Sequence, residues 1–154
     1  MAADPTTMAD PKRVQQLMAN ADRLGETALV RACQRRLYEL GGMDYEDPIT
    51  RRLWQAVTAY EETLRRKHGK SQRAGYTRRK IADKGPVATL SDWALDKKVT
   101  PGFEALLEAG MAEFTGEYVV IEFARSFQPH VVAAARARLE AFGVTLPKDD
   151  EGNE

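Results

Sequence analysis

The apolar residues of this chain recur every three or four positions over most of its length, which is the spacing of one face of an α-helix. The first stripe predicts a helix from Pro11 to about Leu24, capped by Asp10 and ended by Gly25. A second stripe follows at once, over residues 26–40. Because the connection is so short, we expect these two helices to form an antiparallel hairpin.

The later stripes are separated by prolines, glycines and capping residues, which mark further helix starts and ends. They predict helices over about residues 48–67, 76–84, 87–94, 101–109 and 129–142.

Residues 117–123 (EYVVIEF) give two conflicting signals. Their β-branched run favours a strand, but no other segment of the chain offers that strand a partner. Thr115 is a capping residue type, and Val120, Phe123 and Phe127 fall at helical spacing. We predict a helix here, with a short strand as the alternative.

Together these elements predict an all-α fold, a bundle of seven or eight short helices. The chain has 154 residues, which suits one domain, and we place it at residues 10–146. Residues 1–9 and 147–154 carry no periodic apolar face. We predict that both are disordered tails, the second of them acidic.

Composition narrows the class of protein. The single cysteine, Cys33, excludes an intrachain disulfide and a four-thiolate zinc site, and its place on an apolar stripe predicts a buried thiol. No apolar run approaches the ~18 residues of a membrane span, and the first residues lack the apolar region of a signal peptide. We therefore expect a cytoplasmic protein that does not enter a membrane.

Charge is balanced overall, with 23 basic and 23 acidic residues, but it is unevenly distributed. Residues 65–84, which we call the basic segment, contain nine basic side chains and only one acidic one, Asp83. The remaining chain has 14 basic and 22 acidic residues. The sequence thus separates a segment with a surplus of eight positive charges from an acidic remainder.

This segment has the chemistry of a nucleic-acid contact. Lysine and arginine release counterions from a phosphate backbone, and interspersed hydroxyls add hydrogen bonds to phosphate or sugar. Thr77 is positioned to cap the short helix, whose first amides would then face an anion. We predict binding of nucleic acid, DNA before RNA, mainly through phosphate contacts. The predicted contact residues are Arg65, Arg66, Lys67, Lys70, Arg73, Tyr76, Thr77, Arg78, Arg79, Lys80 and Lys84.

Two other roles for the basic segment remain open. Glu61 and Glu62 stand four residues before Arg65 and Arg66, the spacing of ordinary helix-surface ion pairs, so part of the segment could be paired within the protein. No such local partner exists for four other cations, Arg73, Arg78, Arg79 and Lys80. The segment could also dock on an acidic surface of a partner protein, which would make the chain an interaction module.

A metal-dependent nuclease is the third alternative. Asp83 precedes Asp96-Lys97-Lys98 by thirteen residues, and two carboxylates followed by a lysine can hold Mg²⁺ and orient the attacking water. That chemistry needs the residues at the ends of adjacent strands, whereas the pattern places them on helices. The sequence thus favours a binding protein over an enzyme, and predicts neither a cofactor nor a metal site.

Overall fold

The computed structural model describes residues 3–68 and 75–147, except the side chains of Lys67, His68, Tyr76 and Pro101. This part of the chain forms eight α-helices and contains no strand, so the predicted all-α fold is confirmed. None of its helices is both long enough and apolar enough to cross a membrane. The helices are α1 Pro11–Leu24, α2 Thr27–Gly41, α3 Pro48–His68, α4 Gly75–Lys84, α5 Pro86–Leu95, α6 Pro101–Glu108, α7 Gly116–Glu122 and α8 Pro129–Ala141.

Side-chain caps fix several helix starts where the sequence predicts them. The Asp10 carboxylate accepts a hydrogen bond from the Lys12 amide at 3.0 Å, and the Thr100 hydroxyl accepts one from the Phe103 amide at 3.1 Å. Each bond satisfies an amide that has no partner within its own helix. Gly25 ends α1 at a φ of 73°, a left-handed conformation that favours glycine.

The ambiguous run at 117–123 is helical. Thr115 caps α7 by accepting a hydrogen bond from the Tyr118 amide at 3.3 Å, and the helix continues to Glu122. The short-strand alternative is therefore wrong. Val119, Val120 and Ile121 are all buried, so the β-branched run reflects the burial of three consecutive helix positions rather than a strand.

Residues 3–9, for which we predicted a tail, contain a turn of 3₁₀ helix at Pro5–Thr7. Pro5 is buried, and the Arg36 guanidinium on α2 donates a hydrogen bond to the Met8 carbonyl at 2.7 Å. Residues 148–154 of the predicted acidic tail lie outside the described residues.

The core consists of two apolar clusters that meet at α3. The first joins α1 and α2 to Leu106 of α6 and to the segment around Phe114, and it includes the buried Cys33. The second joins α5, α7 and α8. Helix α3 serves both clusters, since Ala59 is buried in the first while Leu53 and Val57 are buried in the second.

Helices α2 and α3 pack closely together at Gly41. A Cβ atom built on this residue would stand 2.7 Å from Thr58 Cβ, which is closer than two carbon atoms can pack. The close approach therefore depends on the missing side chain at position 41.

Gly41→Ala tests this contact. Alanine gains at most about 1 kcal/mol of helix propensity, while forcing the two helices apart costs about 1 to 3 kcal/mol. We expect a net loss of stability, measured as a lower urea midpoint with an unchanged m-value. An unchanged or higher midpoint would contradict the close approach of α2 and α3.

Candidate functional site

The basic segment spans the end of α3 and the whole of α4. Of the predicted contact residues, Lys70 and Arg73 lie outside the described residues, and so do the side chains of Lys67 and Tyr76. The positions of the other seven are described below.

On α3 the two arginines share one glutamate. Arg65 makes a bidentate contact with Glu62, with nitrogen–oxygen distances of 2.8 and 2.7 Å. Arg66 contacts Glu62 at 3.1 Å and also Asp22 on α1 at 3.2 Å. The predicted helix-surface pairing of Glu62 with Arg66 is confirmed. Both guanidinium groups are held at the surface, with side chains 41% and 37% exposed.

Helix α4 is tied to its neighbours through residues that the sequence left without partners. Arg78 makes a bidentate contact with Glu61 of α3 at 2.7 and 2.8 Å, and its guanidinium carbon lies 5.1 Å from the centre of the Trp54 ring. Lys80 lies 3.1 Å from the Asp92 carboxylate of α5. The sequence offers Arg78 and Lys80 no local partner, and the partners that they contact come from other helices.

Lys84 also approaches Asp92, at 3.9 Å, and its side chain is 59% exposed. Arg79 is exposed, and the described part of the chain gives it no ion pair. Both residues are exposed, on different sides of α4. They are the described cations of this helix that are most accessible to an external anion.

Thr77 has a different position from the one predicted. Helix α4 begins at Gly75, so Thr77 lies inside the first turn and cannot be its N-cap. Its side chain turns inward and only 8% of the residue is exposed. The predicted cap at Thr77 is thus wrong, because the helix begins two residues earlier.

Arg78→Gln and Arg79→Gln separate the structural from the exposed cations of α4. Arg78→Gln removes the bidentate contact with Glu61 and the packing on Trp54, and it should destabilise the protein by about 1 kcal/mol. The neighbouring Arg79→Gln change should stay within about 0.5 kcal/mol of wild type. Equal unfolding free energies for the two variants in urea would contradict the anchoring role of Arg78.

The nuclease residues do not come together. Asp83 is near the end of α4 and Asp96 follows the end of α5, so the ten residues of α5 separate them. The Asp96 carboxylate accepts a hydrogen bond from the Lys98 amide at 3.0 Å, which is a local turn contact. Across residues 3–68 and 75–147, no three side chains of the metal-ligating types form a cluster suited to a metal ion.

A second feature, which the sequence did not predict, is a cavity of about 220 Å³ between α3, α4, α5, α6 and α7. Two residues of the basic segment, Thr77 and Lys80, line its α4 side. Tyr60 and Trp93 contribute aromatic walls from α3 and α5. The inner face of α4 thus forms a wall of the cavity, while its outer face carries exposed cations.

A buried ion pair supports one wall of this cavity. Arg138 of α8 donates a hydrogen bond to the Glu117 carboxylate at 2.7 Å and another to the Trp93 carbonyl at 3.2 Å. A third bond reaches the Asp96 carbonyl. One arginine therefore joins α8 to the first turn of α7 and to the end of α5. The side chains of Arg138 and Glu117 are only 13% and 9% exposed.

Glu117 occupies an unfavourable environment for a carboxylate. Burial raises its pKa above the ordinary value of 4.5, while the hydrogen bond from Arg138 opposes that rise. The sequence gives a partial signal for this site, since Glu117 opens a run of apolar residues in which a charge is unexpected. Its partner stands 21 residues away, and nothing in the sequence pairs the two.

Glu117→Gln tests the buried carboxyl through the pH dependence of stability. Because the folded state raises the pKa of Glu117, it binds this proton more tightly than the unfolded chain does. Wild type should therefore lose unfolding free energy, relative to Glu117→Gln, as pH rises from about 4.5 through the folded pKa. Urea unfolding of both proteins between about pH 4.5 and pH 8 measures this difference. A difference that changes in favour of wild type with rising pH would contradict the raised pKa.

Comparison of this chain with protein-family models, with curated proteins and with solved structures finds no match.

Proposed function

We propose that the protein binds nucleic acid, DNA before RNA, through phosphate contacts made by the basic segment. The observation that carries the proposal is the surplus of positive charge in this segment after the fold has paired part of it. The segment has nine basic residues and one carboxylate of its own, Asp83. The described ion pairs add four carboxylates from other parts of the chain, namely Asp22, Glu61, Glu62 and Asp92. A surplus of four positive charges remains, and it attracts a polyanion.

The paired arginines still have hydrogen-bond donors to offer. A guanidinium group has five N–H donors, and the bidentate contact of Arg65 with Glu62 uses only its Nε and Nη2 atoms. The carboxylate also holds the side chain in one orientation, so less conformational entropy is lost when an exposed donor meets a phosphate. Arg79 and Lys84 add two exposed cations on α4.

Such contacts recognise the phosphate backbone rather than the base sequence. We therefore expect affinity that falls steeply with salt and discriminates weakly between sequences. Phosphate contact does not require Arg78 or Lys80, whose ion pairs fix α4 to α3 and α5.

The test compares two variants with the same change in net charge. The first replaces Lys70, Arg73, Arg79 and Lys84 by glutamine, which leaves the ion pairs of Arg78 and Lys80 in place. The matched control replaces four exposed cations outside the segment by glutamine: Lys12, Arg13, Arg23 and Lys97. Fluorescence anisotropy with labelled duplex and single-stranded DNA and RNA, at low and at physiological salt, measures the affinity.

We expect the first variant to lose affinity at least about tenfold, and its salt slope on duplex DNA to fall by about 0.9 for each lost contact. The control should bind nearly as wild type does. An equal loss in both variants would reduce the effect to net charge and overturn the proposal. Absence of binding by wild type at low salt would also overturn it and would favour an acidic protein partner.

A further inference from the structure

We propose that the cavity between α3, α4, α5, α6 and α7 binds a small organic carboxylate with an apolar body. This proposal is independent of nucleic-acid binding, because it rests on residues that line the cavity and uses none of the exposed cations of the basic segment.

The size and the lining of the cavity limit the apolar part of the ligand. A volume of about 220 Å³ lies below the range of drug-sized sites. It holds on the order of ten non-hydrogen atoms, because each atom of a compact ligand needs less than the roughly 30 Å³ that one water molecule occupies in the liquid. Ala56, Phe103 and Leu106 supply apolar wall, and the Trp93 ring supplies a flat aromatic face. A compact apolar or aromatic body matches these walls.

The hydroxyl of Thr77 is the clearest sign of a polar ligand. This residue is more than nine-tenths buried, and the described part of the chain provides no hydrogen bond to its hydroxyl. In that same part, every fully enclosed side-chain nitrogen or oxygen has a partner. The Thr77 oxygen is therefore accessible, and the accessible space beside it is the cavity that it lines. The hydroxyl of Tyr60, on the facing helix, likewise has no partner among the described residues.

The charged residues that line the cavity favour an anionic group on the ligand. Three cations and three carboxylates line the cavity, and two pairs form within it: Lys80 with Asp92, and Arg138 with Glu117. The two remaining charges are Asp96, whose carboxylate accepts a hydrogen bond from the Lys98 amide in a local turn, and Lys98, which has no ion pair among the described residues. The Lys98 ammonium is therefore the cation that a ligand can engage. One cation and two hydroxyl donors suit a monoanionic carboxylate. A phosphate dianion would be repelled by the neighbouring carboxylates.

Trp93 reports on binding directly, provided the other tryptophan is removed. In a Trp54→Phe background, whose helicity is first checked by circular dichroism, phenylacetate is titrated while the fluorescence of Trp93 is followed. We expect a saturable change. The uncharged phenylacetamide and the cationic benzylamine should bind at least about tenfold more weakly, because each fails to form the charge-assisted bonds.

Three variants test which side chains bind the carboxylate of the ligand. Thr77→Val, Tyr60→Phe and Lys98→Gln each remove one proposed donor while preserving most of the side chain's shape, and each should weaken phenylacetate binding about fivefold to tenfold. Two matched controls lie outside the cavity: Thr63→Val, whose hydroxyl bonds to the Ala59 carbonyl, and Lys97→Gln, the exposed neighbour of Lys98. Both should bind as the background protein does.

Three results would overturn the proposal. The first is the absence of a saturable signal with phenylacetate at millimolar concentration. The second is binding of phenylacetamide or benzylamine as tight as that of phenylacetate. The third is an equal loss in Lys98→Gln and Lys97→Gln. A loss of nucleic-acid binding in the four-glutamine variant of the basic segment would leave this inference unaffected, so the two proposals fail separately.

Discussion

Helix α3 must bury apolar side chains in two clusters at once, and the placement of the other helices follows from that requirement. With Ala59 in one cluster and Leu53 and Val57 in the other, the helix has a limited arc left for polar residues. Glu61 and Glu62 occupy that arc near its end. There these carboxylates contact Arg78 of α4 and the last arginines of α3.

This constraint explains why more cations of the basic segment form ion pairs within the protein than its composition implies. The carboxylates of α3 hold Arg65, Arg66 and Arg78, and Asp92 of α5 holds Lys80. Half-exposed pairs of this kind contribute modestly to stability. Their larger effect is geometric, because a helix as polar as α4 has little apolar surface with which to dock. The segment thus supplies both the attachment of α4 and its outward charge.

The sequence predicted what depends on neighbours along the chain. Capping by Asp10, Thr100 and Thr115 involves residues two or three positions apart, and the apolar stripes follow from helix geometry. The bonds that build the site join distant residues, 17 apart for Arg78 and Glu61 and 21 apart for Arg138 and Glu117. No local rule selects such partners, since they meet only after the helices have packed. The cavity was missed for the same reason, because five helices enclose it.

One helix, α4, carries Thr77 on the cavity wall and Arg79 on the outer surface, separated by half a turn. A displacement of α4 therefore changes the cavity wall and the outer surface together. If occupation of the cavity changes affinity for a polyanion by some factor, the polyanion must change affinity for the cavity ligand by the same factor. The described chain anchors α4 by ion pairs on its flanks, so its position is set by a small number of contacts. If both proposed ligands bind, α4 is the element through which the two binding equilibria are coupled.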